Sequence, residues 1–347
     1  PMHPALMIAS LAHARPALAA RAVGRVGLAR MSVLVSADGS PAAPLARIPR
    51  VVFTDCDGTM LGPDHRLSDR TRAALRALTH AGVRVVPATG RGRSGSWIEH
   101  VLSEPALMNG FPGIFLNGCQ NYDELEVEHT VCLTPLAARA AVAFGDSRRD
   151  LEVTTVVYVR GEALFDVDHP LIAKLAAVGD SPLRRVTSLA AELECDELAS
   201  VCAKVLMLYE DDEITASSLR AAVEPAIGEW SGAELTRALR WCLEVKPQGT
   251  CKATAAAALL ARWGLQPEDA LALGDGENDI SLLHLCGASV AMGNGCAQAK
   301  SVAMYLAPSN AHDGWAQAVE TLVLRALEDT GRVAEGAQPD RSDAAAR

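Results

Sequence analysis

The chain has 347 residues and a formal net charge of −10 at pH 7. A general nucleic-acid binder or a protein of anionic membrane surfaces needs clustered lysine and arginine, so this acidic balance argues against both classes. Hydrophobic residues make up 49% of the chain, and its length exceeds what one hydrophobic core usually supports. We therefore expect a soluble protein with more than one domain.

Residues 1–46 differ in composition from the rest and predict an N-terminal extension. No acidic residue precedes Asp38, whereas four arginines lie among small and apolar residues. These are Arg15, Arg21, Arg25 and Arg30. This composition is typical of a transit peptide for an organelle, either the chloroplast or the mitochondrion. The alternatives are a disordered extension or sequence upstream of a start at Met31. In either case, scattered cysteines without a C-x-x-C pair favour a cytoplasmic protein.

Two carboxylates follow the first predicted strand. Apolar residues at 51–54 predict a buried strand, and Asp55 and Asp57 come directly after it. Because side chains alternate along an extended chain, carboxylates at i and i+2 can point to the same side. One can then attack a phosphorus atom while the other serves the leaving oxygen. Gly58 allows a sharp turn, but an Asp-Gly turn after a strand is common, so the motif needs partners elsewhere.

The next predicted elements are a helix and a second strand. A serine N-cap, a charged first turn and regularly spaced apolar residues predict a helix over residues 68–80. The second strand pattern, at residues 84–88, leads into Thr89, Gly90 and Arg91. A small hydroxyl residue and a glycine suit a loop that approaches a phosphate oxygen closely.

A third strand is predicted at residues 113–116 and ends at Asn117, which by itself would be a turn residue. The βαβαβ order predicts a parallel sheet with helices on both faces. From about residue 120 the pattern changes to two strand signals that are each followed by a helix candidate, and a third strand signal that closes the segment. Residues 120–245 are therefore predicted to form an inserted α+β domain. Its strand signals lie at 155–159, 204–209 and 240–245.

The last part of the chain returns to the sheet domain. Lys252 lies near the start of an alanine-rich predicted helix, whose N-terminus adds positive charge toward a phosphate; the alternative is an exposed lysine without a special role. Residues 270–274 predict another buried strand, and Asp275, Asn278 and Asp279 follow it. The carboxyl ends of parallel strands gather in one crevice, so these residues are expected to meet the carboxylates after the first strand.

Together, these segments resemble the motifs of the haloacid dehalogenase superfamily of phosphatases. Residues 274–283, 290–294 and 309–314 are similar to its Cof-type sugar-phosphatase branch, subfamily IIB. The resemblance implies an α/β fold: a doubly wound, mostly parallel Rossmann-like core with an inserted α+β cap domain. The predicted parts are an extension at 1–46, a core at 47–119 and 246–328, a cap at 120–245 and a disordered tail at 329–347.

The resemblance also implies roles for individual residues. Asp55 corresponds to the nucleophile that forms an aspartyl-phosphate, and Asp57 to the acid/base that serves the leaving group and then water. Asp55, Asp275 and the backbone carbonyl of Asp57 correspond to ligands of Mg²⁺, a hard cation that prefers oxygen. The other implied roles are phosphate binding by Thr89, Gly90 and Lys252, positioning of the metal site and the lysine by Asn278 and Asp279, and lining of the substrate pocket by Asn117 and Arg91.

We therefore expect a Mg²⁺-dependent phosphatase that hydrolyses a small organic phosphate, such as a sugar phosphate or a phosphorylated cofactor. One alternative is a sugar phosphomutase or phosphotransferase of the same superfamily. Another is a catalytically idle phospholigand-binding protein, against which the complete set of candidate catalytic residues argues. The expected partner is a small phosphorylated metabolite, with neither nucleic acid nor membrane. No sequence pattern indicates an oligomeric state.

Overall fold

The computed structural model of the chain describes residues 33–148 and 151–331. Residues 1–32, which hold most of the predicted transit-like segment, and residues 332–347 of the predicted tail lie outside this part. The strands, in chain order, are β1 (Val35–Ser36), β2 (Val51–Thr54), β3 (Arg84–Pro87), β4 (Gly113–Phe115), β5 (Gln120–Tyr122), β6 (Glu128–Thr130), β7 (Thr154–Val159), β8 (Glu162–Phe165), β9 (Leu183–Arg185), β10 (Cys202–Leu208), β11 (Ala233–Leu239), β12 (Cys242–Pro247), β13 (Ala270–Gly274), β14 (Ala288–Ala291) and β15 (Tyr305–Leu306).

The α-helices are α1 (Asp69–His80), α2 (Pro135–Ser147), α3 (Pro170–Val178), α4 (Leu189–Glu194), α5 (Asp196–Ala199), α6 (Glu213–Ile227), α7 (Lys252–Arg262), α8 (Ile280–Leu285), α9 (Ala297–Val302), α10 (Gly314–Val319) and α11 (Arg325–Asp329). Short 3₁₀ or π turns lie at Cys56–Met60, Ile98–Leu102, Pro105–Gly110, Leu116–Gly118, Pro267–Asp269, Glu277–Asp279, Asn310–His312 and Glu320–Leu324. The predicted helix over 68–80 is α1, and Ser68 caps it by accepting a hydrogen bond from the backbone N–H of Thr71.

A six-stranded sheet forms the core, with the strand order β1-β15-β14-β13-β2-β3. Strands β15, β14, β13, β2 and β3 pair in parallel, and β1 adds an antiparallel edge. Strand β2 has β3, the next core strand along the chain, as its neighbour on one side. Its neighbour on the other side is β13, which follows the cap in the chain. In an open α/β sheet, such a switch point opens a crevice at the carboxyl ends of the strands. The predicted mostly parallel, doubly wound sheet is confirmed.

Both faces of the core sheet are covered by helices. Val52 belongs to the same hydrophobic cluster as Leu75 of α1, whereas Val51 and Phe53 belong to that of Leu260 in α7. Alternate residues of one strand therefore serve opposite faces, which explains why β2 is buried throughout and reads as a continuous apolar run.

The second six-stranded sheet, ordered β11-β12-β10-β7-β8-β9, forms the inserted α+β domain, which we call the cap. Its neighbouring strands are antiparallel except for the parallel pair β8 and β9. Helices α2, α4 and α6 pack on one face, with Val157 and Val205 of the sheet. Helix α3 packs on the other face, with Tyr158 and Leu206. This second face is turned toward the core.

The three-stranded sheet β4-β5-β6 lies at the junction of core and cap. Strand β5 begins at residue 120, the predicted start of the cap, and pairs with β4. Strand β4 in turn contacts the core through a bridge between Ala88 and Ile114. The domain limits stay predictions. Within residues 33–148 and 151–331, no helix combines the length and apolar character that crossing a membrane requires.

Candidate active site

Asp55 lies at the carboxyl end of β2, at the switch point of the core sheet. Its backbone N–H donates to the carbonyl of Leu273 in β13 (2.9 Å), and the residue is buried. The chain then turns through Cys56–Met60, where Gly58 has a φ of 76°. A Cβ atom at this position would clash with the carboxylate of Asp275. Glycine is therefore required here by both backbone conformation and space.

Lys252, the first residue of α7, joins two carboxylates. Its Nζ donates to Oδ1 of Asp55 (2.5 Å) and to Oδ1 of Asp279 (2.6 Å), and its side chain is fully buried. Burial lowers the pKa of this amine, but the charges of Asp279 and Asp55 and their hydrogen bonds outweigh burial and leave the pKa above its ordinary value. The alternative of an exposed lysine is wrong.

Asp55, Asp275 and Asp279 bring carboxylate oxygens within 4.8 Å of one another. Both oxygens of Asp279 are engaged, because Oδ1 accepts from Lys252 and Oδ2 accepts from the backbone N–H groups of Asp275 and Gly276 (2.9 Å each). Asp279 thus holds the loop and the lysine. Asp55 and Asp275 remain to line the cavity above them.

The electrostatics of this cluster favour an additional cation. Burial raises the pKa of Asp275 to about 7, and the charge of Asp279 adds to the effect. Burial also raises the pKa of Asp55, although the charge of Lys252 opposes it. Among the described residues, Lys252 is the lysine that contacts this cluster of three carboxylates, so their negative charge is incompletely compensated.

Two residues that the sequence reasoning did not single out orient Asp275. The hydroxyl of Thr59 donates to its Oδ1 (2.9 Å). The side-chain amide of Asn294 donates to the carbonyl of Gly58 (2.7 Å) and lies 3.5 Å from Oδ2 of Asp275. A signal for both was present, because Thr59 completes the Asp-Gly-Thr segment and Asn294 ends one of the segments that resemble the Cof-type branch.

Asp57 is held by Arg91 and His65. Arg91 donates from Nε to Oδ2 and from a terminal nitrogen to Oδ1 of Asp57 (2.6 Å each), and Nδ1 of His65 lies 2.7 Å from Oδ1. Burial raises the pKa of Asp57, but the hydrogen bonds from Arg91 and His65 outweigh burial and leave the pKa below its ordinary range. Arg91 is one of the pocket residues predicted from the sequence, whereas no local pattern marks His65.

Thr89 and Gly90 form the loop after β3. The backbone N–H of Thr89 donates to the carbonyl of Ile114 (2.8 Å), and its hydroxyl accepts from the backbone N–H of Arg91 (3.1 Å). Thr89 is buried. These bonds fix the loop against β4 and place Thr89 and Gly90 in the wall of the same cavity as Asp55.

A chain of hydrogen bonds connects the core loops with two strands of the cap. Asn278 donates to Oδ1 of Asn117 (2.9 Å), and Asn117 donates to Oε2 of Glu244 in β12 (2.7 Å). Lys204 in β10 donates to Oε1 of Glu244 (3.2 Å) and to the carbonyl of Gly90 (2.9 Å). Glu244 and Lys204 are not among the site residues predicted from the sequence. A charged residue inside an otherwise apolar strand was the signal, because a buried charge requires a partner.

A cavity of about 40 Å³ lies between the core loops and the cap. Core loops and cap residues both contribute to its wall, so the cap lies over the site. The predicted site residues in its wall are Asp55, Asp57, Thr89, Gly90, Arg91, Asp275 and Asn278. Lys252, Asp279 and Asn117 lie outside this wall. Lys252 is hydrogen-bonded to Asp55, which lines the cavity, and Asp279 is hydrogen-bonded to Lys252. Asn117 is hydrogen-bonded to Asn278, which also lines the cavity.

Residues 52–319 match the model of a protein family described as haloacid dehalogenase-like hydrolase. The chain belongs to this family. The match extends from β2 through the cap to α10, so it includes every loop that contributes to the cavity. The predicted superfamily is confirmed.

Curated relatives agree with this assignment. The hydrolase is 29% identical over 259 residues to the HMP-PP phosphatase of Enterobacter sp. (strain 638), a match that covers 72% of this chain and 86% of that protein. It is 28% identical over 276 residues to a protein of Arabidopsis thaliana named endoribonuclease YBEY, chloroplastic. That match covers 77% of this chain but 45% of the Arabidopsis protein, so the chain spans less than half the length of this relative.

Solved structures share the fold. A haloacid dehalogenase-like hydrolase from Bacteroides thetaiotaomicron has a TM-score of 0.65 at 24% identity, covering 78% of this chain and 98% of that chain. A subclass IIB sugar phosphatase of the superfamily has a TM-score of 0.64 at 22% identity, and the match covers 82% of this chain and 100% of that chain. The predictions of a Rossmann-like core with an inserted cap, of a Cof-type hydrolase and of a phosphatase-type enzyme are confirmed.

Proposed function

We propose that this hydrolase is a Mg²⁺-dependent phosphomonoesterase that releases inorganic phosphate from a small phosphorylated metabolite through an aspartyl-phosphate on Asp55. One observation carries the proposal: Asp55 is buried beneath the cap, bound to Lys252 and close to Asp275, while Asp57 lines the same cavity. A carboxylate nucleophile, an acid/base and fixed positive charge are the groups that phosphoryl transfer through a covalent intermediate needs.

The donor set fits Mg²⁺. Asp55 and Asp275 offer carboxylate oxygens in a buried cluster. The charge of Lys252 compensates the negative charge of this cluster only in part. We assign these two carboxylates and the backbone carbonyl of Asp57 as ligands, because Mg²⁺ prefers oxygen donors. When bound, the ion supplies positive charge that reduces the repulsion between an anionic phosphate and an anionic nucleophile.

The reaction divides into two halves. In the first, a carboxylate oxygen of Asp55 attacks phosphorus, the bond from phosphorus to the ester oxygen breaks, and Asp57 gives its proton to the leaving oxygen. In the second, water gives a proton to Asp57 and attacks phosphorus, the bond to Asp55 breaks, and inorganic phosphate leaves. Arg91 and His65 favour ionised Asp57, the form that accepts the proton of water in the second half. Lys252 and Thr89 would hold the phosphate oxygens.

The test is phosphate release from a panel of sugar, cofactor and nucleotide monophosphates, measured with Mg²⁺ and with EDTA. We expect release that requires the metal and is abolished in Asp55→Asn, which keeps the size of the side chain and removes the nucleophile. Asp329→Asn, the same change at an exposed position at the end of α11, is the matched control and should behave as wild type. Undiminished release by Asp55→Asn would refute the proposal.

The same panel separates the alternatives. Conversion of one sugar phosphate into its isomer, without free phosphate, would assign the chain to the phosphomutases or phosphotransferases of the superfamily. Saturable binding without turnover by the wild-type protein would assign it to idle phospholigand binders.

The names of relatives support a small phosphorylated substrate, since one is an HMP-PP phosphatase and one solved structure is a sugar phosphatase. We extend this class to the present chain as a sugar phosphate or a phosphorylated cofactor. Location in an organelle stays a prediction. It is supported by the composition of the first residues and by the word chloroplastic in the name of the Arabidopsis relative.

A further inference from the structure

Lys204 and Glu244 form an ion pair in the cap wall of the active-site cavity. Both are buried, at 1% and 3% exposure, and Nζ of Lys204 lies 3.2 Å from Oε1 of Glu244. Glu244 pairs in register with Leu206, two residues beyond Lys204, so all three side chains leave the same face of the sheet. An ion pair in such an apolar setting seldom repays its desolvation, and both partners line the same cavity as Asp55, which favours a use in binding.

Neither member of the pair uses its full hydrogen-bonding capacity. Among the described residues, Nζ of Lys204 donates to Glu244 and to the carbonyl of Gly90, and the ring of Tyr158 lies 4.7 Å away. An ammonium group has a third hydrogen to donate. Each oxygen of Glu244 accepts one hydrogen bond, from Lys204 and from Asn117, and has room for another. A donor and an acceptor thus remain side by side at the cavity.

The charge of the cap wall restricts what can enter. Of the described cap residues that line the cavity, Asp180 is the one other charged group, and the rest are apolar or cysteine. Asp180 accepts from the hydroxyl of Tyr158 (2.6 Å) and from the backbone N–H of Gly92 (2.5 Å). The wall therefore has more carboxylates than ammonium groups. A second phosphate would be repelled, whereas a hydroxyl can accept from Lys204 and donate to Glu244.

We propose, on the basis of the proposed phosphatase function, that Lys204 and Glu244 are specificity-determining residues that bind the leaving group. They act as paired donor and acceptor for a hydroxyl, and together with Asp180 they select phosphomonoesters whose leaving group bears hydroxyls and no second phosphate. A site built to bond a substrate hydroxyl discriminates strongly against analogues that lack it, because its buried polar groups are then left unpaired.

The test compares kcat/KM for glucose, fructose and ribose monophosphates, for bisphosphates of the same sugars, and for acetyl phosphate, which has no hydroxyl. We expect the wild-type enzyme to prefer at least one monophosphate over its bisphosphate by about tenfold or more. Lys204→Met should lower the ratio of sugar-phosphate to acetyl-phosphate kcat/KM by about 10- to 100-fold, and Glu244→Gln should lower it in the same direction. Lys174→Met, the same change at an exposed position on α3, should keep the wild-type ratio.

A double variant and the conservative Glu244→Gln guard against loss of the fold. Lys204→Met combined with Glu244→Met removes both charges together, a replacement that buried ion pairs often tolerate, and thermal unfolding checks that the cap stays folded. Glu244→Gln alone preserves the shape of the side chain and the acceptor for Asn117.

Each outcome decides a different point. If a folded variant keeps the wild-type ratio of sugar-phosphate to acetyl-phosphate kcat/KM, even with lower activity on every probe, the specificity role is overturned. Equal hydrolysis of monophosphates and bisphosphates by the wild type overturns the exclusion of a second phosphate. Hydrolysis of acetyl phosphate without any sugar monophosphate overturns the hydroxyl contact and leaves the phosphatase intact. Absence of release from every probe, acetyl phosphate included, defeats the proposed function itself.

Discussion

The guanidinium of Arg91 donates to both carboxylate oxygens of Asp57, at 2.6 Å each. A bidentate pair of this kind fixes the plane of the carboxylate as well as its charge. The same guanidinium donates to the carbonyl of Val178 at the end of α3 in the cap (2.7 Å). The candidate acid/base is therefore oriented by a side chain that also contacts the cap, which links cap position to the proposed chemistry.

The first prediction concerns this pair. Arg91→Lys removes the bidentate contact, so the pKa of Asp57 should rise toward its ordinary value. Because Asp57 must be ionised to accept the proton of water, the acid limb of the pH–rate profile should move to higher pH, and kcat should fall by about 100-fold. Phosphate release measured across pH checks this. The control is Arg93→Lys, because the guanidinium of Arg93 stacks on the ring of Phe111, 3.8 Å from its centroid. An unshifted acid limb in Arg91→Lys would contradict the prediction.

The second prediction concerns stability. Lys252→Met leaves Asp55 and Asp279 buried without their shared cation, and breaking a buried ion pair costs about 3–5 kcal/mol. The free energy of unfolding in urea should fall by this order at about pH 7 and by less at about pH 5. The sign follows from Asp55, whose folded-state pKa is already raised by burial and rises further without the lysine. A carboxyl of raised folded-state pKa loses stability as the pH increases, because the unfolded state releases its proton first. Lys174→Met is the control, and a variant as stable as that control would refute the prediction.

The third prediction concerns metal binding. Mg²⁺ should raise the melting temperature more at about pH 8 than at about pH 6, because metal ligands must be deprotonated to bind. Burial raises the pKa of Asp275 to about 7, so protons compete with the ion below this value and no longer compete above it. Scanning fluorimetry with Mg²⁺ or EDTA at constant ionic strength measures the effect. Asp275→Asn should lose most of the increase at both pH values; an increase that survives in this variant would place the ion elsewhere.

The fourth prediction separates backbone strain from crowding. Gly58 and Gly82 have nearly the same φ, 76° and 78°, but an added Cβ meets the Asp275 carboxylate at Gly58 and open space at Gly82. Gly82→Ala should lower the free energy of unfolding by about 1–2 kcal/mol and leave activity near wild type. Gly58→Ala should lower it further and reduce kcat by about 100-fold, since it displaces a candidate metal ligand. Equal effects of the two substitutions on activity would contradict the crowding argument.

The parts of the site that follow from local patterns were predictable. Asp55 and Asp57 follow a continuous apolar strand, and Asp275 and Asp279 follow another, so the parallel-sheet rule brings both pairs to one crevice. Helix α1 begins at a serine cap as its sequence indicates. Local patterns do not predict hydrogen-bond partners that are distant in the chain, however. Asn117 and Glu244 are 127 positions apart, and only the packing of cap on core makes them hydrogen-bonded neighbours.

The sequence by itself determined strands β2, β3, β4 and β13, helix α1 and the presence of an inserted α+β cap, because periodicity and strand ends are local properties of the chain. The roles of the candidate catalytic groups came from the resemblance of the motifs to a known family. Only the tertiary structure decided what each group contacts: Arg91 holds Asp57, Asp279 serves Lys252 and the backbone, and the cap adds Lys204 and Glu244 to the cavity. The physical reason is that hydrogen-bond partners and desolvation depend on how distant elements pack, and that packing is a property of the whole fold.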